Sequence, residues 1–248
     1  MIARDSVLRR LPTRLDPRQL LFLDGIRHAG DIAGFAYGRL LHTLTQIATA
    51  DHQGEQADRL YTMAFLDAWA VVDVIDRFRA LLLLMPNAVR ADPPPGTMSF
   101  TELTQPVREL RNVADHLAQR IDYVIARQGT ALGTLSWFTA LRPDGIEGVI
   151  CTIVPGTLRT GATGVINPTG QTIELPTGFV QLSAGEHKAN LSAIIPEMML
   201  RVRQIEDSLT EGLRAAGAEN EQAGADLLIR MNVSFATGEA QPMNPTSA

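Results

Sequence analysis

From Gln56 to Met85 the chain reads as one helix that is apolar on nearly every side. Such a helix needs other elements around it, so this stretch belongs at the centre of a bundle. Its main stripe is Leu60, Ala64, Val71, Val74, Phe78 and Leu82, with Asp67 set in the middle. Asp67, Asp73, Asp76, Arg77 and Arg79 interrupt the apolar run from Met63 to Leu84, so it is not a membrane span.

The neighbouring segments supply the rest of the bundle. Asp16-Pro17 pairs an N-cap residue with proline at the first helical position, which starts a helix running to about Thr49. Gly30, Gly34 and Gly38 recur every fourth residue on one face of it, and predict either that another helix packs very close there or that the helix breaks near Gly25 or Gly30. A third helix is expected from about Phe100 to Arg127, with Thr101 as N-cap. Its core stripe is Leu103, Val107, Leu110, Ala114, Leu117, Ile121 and Val124.

After Gly129 the pattern changes to short strands: Thr134 to Leu141, Gly148 to Val154, Thr172 to Leu175 and Phe179 to Leu182. Turn residues separate them, as in a small antiparallel meander. A long helix follows over about Gly185 to Ala215, kinked or broken near Pro196, and Asn220 to Met231 reads as one more short helix. The fold class expected is mainly α, a bundle of four to five long helices with a β meander before the last long one. The chain, 1–248, reads as a single domain, with a helical core over 15–128, a β insertion over 129–183, a long helix over 185–217 and a disordered tail over 237–248.

Composition narrows the function classes. With 22 basic and 27 acidic residues, the formal charge of −5 argues against a protein that coats nucleic acid non-specifically, while leaving room for a local basic cleft. Cys151 is the only cysteine, which excludes an internal disulfide and a cysteine-based zinc site. Met1 to Pro12 has basic residues but no apolar core, so no secretory signal is read and a cytoplasmic location is expected, with no membrane partner. His28, His42, His52 and His187 form no metal-ligand spacing with one another, and no metal or cofactor is expected. Gly156 to Gly164 is glycine-rich but lacks the lysine ending of a phosphate-binding loop.

The segment that points most clearly at chemistry is Arg111-Asn112-Val113-Ala114-Asp115-His116. An imidazole that can move a proton, close to a permanent cation, suits work on a phosphodiester. On one continuous helix, Asn112 and His116 would share a face while Arg111 lies about 140° from His116. Arg111 would then have to reach across, or act on the histidine of a second subunit. Asp73 and Asp76 have two readings. Either one of them holds the Arg111 guanidinium, or they form local helix pairs, Asp73 with Arg77 and Asp76 with Arg79. For Asp67 a buried structural hydrogen bond is expected. Arg111 with Asp115 could equally be an ordinary surface ion pair.

Arginine, a polar residue, three more residues and histidine on the third helix of a bundle resembles the R-x4-6-H motif of the HEPN family. The resemblance covers roughly Pro17 to Arg127, and nothing in the β segment contributes to it. It implies a homodimer acting on RNA, in many members as a metal-independent endoribonuclease of toxin or defence type. His116 would be the general acid and base, Arg111 would stabilise the phosphate, and Asn112 would orient either one, with Asp73 and Asp76 in support. The competing expectation is a non-enzymatic helical interaction or RNA-binding protein that uses the same polar face for a protein partner or RNA.

Overall fold

The computed structural model describes residues 1–85, 98–119, 121–126, 130–142, 147–156, 176–218, 224 and 226–232. Helix α1 (Pro17–Thr49) opens where the sequence indicates, with the Asp16 carboxylate accepting from the Arg18 and Gln19 amides. It lies antiparallel to α2 (Gly54–Leu84), which is the buried centre the all-round apolar pattern predicts. Ala64, Val71, Val74 and Phe78 are all essentially inaccessible. Asp67 is buried too, and its carboxylate accepts from Arg39 of α1, which closes the seam between the two helices. The expectation of a structural bond at Asp67 thus has a partner that sequence alone did not name.

The glycine face of α1 is filled differently from the prediction. A Cβ at Gly30 would meet the Ile2 side chain, with Val202 of the last helix close by, and one at Gly34 would meet the Met1 backbone. Gly38 opens on nothing within 4 Å. The chain's own first residues, rather than a helix alone, occupy this groove. They are held by the Ile2 amide on Asp31 (3.0 Å), the Arg9–Asp31 ion pair (2.6 Å) and a Ser6–Glu206 hydrogen bond.

The expected third helix is broken into pieces. Helix α3 (Phe100–Leu103) is followed by α4 (Gln105–Asp115), a tight turn over Leu117–Gln119 and α5 (Ile121–Ala126). The start is set by Ser99 instead of Thr101. The Ser99 hydroxyl accepts from the Glu102 amide, and the Glu102 carboxylate accepts from the Ser99 amide. Pro106 accounts for the first break, since it has no N–H to continue the ladder from α3 and disfavours helical geometry just before it. The second break has no glycine or proline. There the turn brings Val124 into the core and leaves Ile121 and Ile125 exposed.

The sheet has strands β1 (Thr134–Ala140), β2 (Gly148–Ile153), β3 (Thr177–Ala184) and β4 (His187–Asn190), all antiparallel, in the order β2-β1-β3-β4. β3 therefore pairs with β1 rather than with β2, unlike a simple meander. Gly185 has φ +61 and turns β3 into β4, so the last long helix, α6 (Leu191–Ala215), begins later than expected, capped by Asn190. Pro196 sits inside α6 without ending it. Threonines tie the sheet to α1: Thr177 Oγ1 lies 2.6 Å from Thr45 Oγ1 and 2.7 Å from Thr139 Oγ1. The result is mainly helical, with the small antiparallel sheet preceding the last long helix.

Residues 172–175, 220–223, 225 and 237–248, for which the sequence predicts a strand, part of a short helix and a disordered tail, lie outside the described residues. Within the expected short helix, Gly224 and 226–231 are not helical. Among the described residues no helix is long and apolar enough to cross a membrane.

Candidate functional site

Helix α4 carries the Arg/His segment and is fixed by its own apolar face. Val107, Leu110 and Val113 are buried where α4 meets α2 and β4. Phe100 of α3 meets Phe78 of α2 edge to face, at 5.6 Å between ring centres. These contacts set which way the polar side of α4 looks.

Arg111 lies on the α2 side of that helix. Its guanidinium bonds Asp76 at 2.8 Å, reaches Asp73 at 3.2 Å and Asp115 at 3.4 Å. The hydrogen bond to Asp76 is the main reason its pKa is raised, holding the charged form more firmly than usual. Asp76 is nearly buried, with Arg108 a further 3.6 Å from its other oxygen. Asp73 and Asp76 of α2 therefore both face Arg111, as one reading of the sequence expects. The local pair Asp73–Arg77 also forms, at 2.7 Å, so Asp73 serves two arginines. The predicted Asp76–Arg79 pair does not form. Asp76 turns to α4 instead, and Arg79 donates to Gln105 (3.0 Å).

His116 departs from the predicted geometry. Helix α4 ends at Asp115, and His116 is its cap residue, with φ −113 and ψ 23. His116 therefore stands where the helical path ends, and its backbone leaves the helix there. His116 is exposed and Asn112 is half-buried. Neither side chain has a hydrogen bond or ion pair among the described residues.

Beside Arg111 is a shallow pocket of about 360 Å³. Its apolar wall includes Trp69, Val72, Ala114 and Leu132, while Asp73, Arg111 and Asp115 form its polar rim. The Trp69 indole donates to the Leu132 carbonyl (3.1 Å), which fixes the segment before β1 against α2. His116 is not part of the lining.

Two further features escape a reading of the sequence. Asp24, His28 and Asp226 converge to within 4.8 Å, and the spacing of Asp24 and His28 on α1 is the legible half of that signal. Arg27 already supplies the cation there, at 2.8 Å from Asp24 and 2.7 Å from Asp226. A cleft of about 790 Å³ also separates the α1–α2 connection from the sheet, with Tyr61, Phe65, Trp137 and Cys151 on its walls. Burial pushes the Cys151 thiol pKa up. Since the thiolate is the reactive form and the thiol is half-buried, Cys151 should react with a disulfide reagent at pH 8 more slowly than a free thiol, and at the normal rate in urea. Equal rates in both states would contradict this placement.

A scan against family models finds no match for this chain, and searches of curated proteins and of solved structures find none either.

Proposed function

We propose that the chain is a non-enzymatic helical interaction protein, with the polar side of α4 and its adjoining pocket as a docking face. The observation that carries this is the engagement of Arg111 by three carboxylates. A phosphate would have to displace at least one of them to use the guanidinium. The surroundings do not favour a polyanion either: Arg77, Arg108 and Arg111 are matched by Asp73, Asp76 and Asp115. Binding driven by phosphate contacts needs a local excess of basic groups. Apolar walls with a charged rim suit a protein side chain better than a nucleotide.

A second reading keeps the homodimeric, metal-independent endoribonuclease, with His116, Arg111 and Asn112 acting on RNA. The exposure of His116 favours it, because the imidazole is open to a second subunit or a substrate. Incubating the protein with single-stranded RNA in EDTA separates the two. The interaction reading expects intact RNA. Cleavage that leaves 2′,3′-cyclic phosphate ends and disappears in His116→Ala would overturn it.

A further inference from the structure

An unexplained apolar surface lies on the α1 side of the molecule, where residues 224 and 226 bond Leu11 and Arg27. Leu227, Leu228, Ile229 and Met231 are 73–88% exposed in an extended segment. This run does not hang from a loose end. The Gly224 amide donates to the Leu11 carbonyl (3.1 Å), and Asp226 bonds Arg27 at 2.7 Å. The arm therefore leaves the body at a fixed point, beside His28, whose ring lies within 4.8 Å of the Asp226 carboxylate.

His28 belongs to an exposed stripe of α1. At 100° per residue, Leu21, His28, Ile32, Phe35 and Arg39 fall on one face. Leu21 is 73%, Ile32 50% and Phe35 56% exposed, and Arg39 stacks on the Phe35 ring. The two unpartnered apolar surfaces thus meet at Asp226. They also match in length. Five extended residues span about 17 Å, and Leu21 to Phe35 spans about 21 Å along a helix. Yet the arm does not cover the stripe of its own chain, since both remain exposed.

We infer that the arm 227–231 docks on the Leu21/Ile32/Phe35 stripe of a second copy of this chain, which returns its own arm in the same way. A two-fold pair needs one face that carries both the donor and the acceptor surface, and this face does. Asp67, paired with α1, and Asp76, paired with α4, are nine residues apart and about 180° apart around α2. The arm-exchange face is therefore separate from the Arg111–His116 face, and the inference stands whichever way the RNA test falls.

Light scattering of the full chain coupled to size exclusion should give a dimer. Phe35→Asp and Ile229→Asp should each weaken association by about tenfold or more. Circular dichroism should be unchanged, because both side chains are on the surface. In a Cys151→Ser background, the pair Phe35→Cys and Ile229→Cys should oxidise to a covalent dimer. A monomeric wild-type chain, or a dimer that persists unweakened in both Asp variants, would overturn the inference. So would a disulfide formed within one chain, which would place the arm on its own stripe.

Discussion

Phe78→Ala should lower stability by about 4 kcal/mol, far more than a substitution at an exposed position would cost. Phe78 is fully inaccessible, sits on the core stripe of α2 and meets Phe100 edge to face. Truncation removes the transfer free energy of a large ring, leaves a cavity, and ends an aromatic contact worth about 1 kcal/mol. Neighbouring atoms can refill little of the space, because Val74, Ile75 and Leu110 are themselves packed without exposure. Urea denaturation should show a lower midpoint with an unchanged slope. Phe78→Leu keeps much of the volume and should cost less than half as much. A loss below about 1 kcal/mol for the alanine variant would mean that α3 is not anchored on α2 as described.

Arg111→Ala should also destabilise, by about 2 kcal/mol. The removed guanidinium is partly exposed, so solvent screens part of its interactions, and those with the more accessible Asp73 and Asp115 count for little. The bond to Asp76 is different, because that carboxylate is buried and, among the described residues, would keep only Arg108 at 3.6 Å. In a protein of this size, the loss should lower the melting temperature by roughly 4–8 °C. His116→Ala, by contrast, should shift it by less than about 2 °C, since an exposed side chain that bonds none of the described residues contributes little. Equal losses in the two variants would mean that the segment acts as one unit, contrary to the geometry.

The parts of the fold with strong local signals are legible in the sequence. Asp16-Pro17 marks a helix start by cap chemistry, and the all-round apolar character of α2 requires burial. Both follow from local residue types. The breaks in the third helix are less accessible. Pro106 is visible but lies at a position that helices tolerate in their first turn, so it does not by itself announce a new helix. The end at His116 has no local marker, since no glycine or proline stands there. Gly185 is the signal for the hairpin of β3 and β4, and its positive φ is a turn conformation where the sequence reading places a helix start.

The site shows the same division. That Asp73 or Asp76 would hold Arg111 is one of two readings, and helix spacing cannot choose between α2's own arginines and one on α4. Packing decides it. Burial of Val107, Leu110 and Val113 turns Arg111 toward α2, where Asp76 already lies in the interface. The end of α4 at Asp115, with His116 as its cap, is not legible from the helical spacing of Asn112 and His116.

Arg111 joins α4 to α2 through Asp76, and a double-mutant cycle of Arg111→Ala and Asp76→Ala, followed by urea denaturation, tests most directly whether this contact clamps the two helices. Two side chains bonded in a nearly buried interface should give a coupling energy of about 1.5 kcal/mol or more, with the double variant losing less than the sum of the single losses. Additive losses, with coupling near zero, would contradict the clamp and leave Arg111 free to meet a ligand.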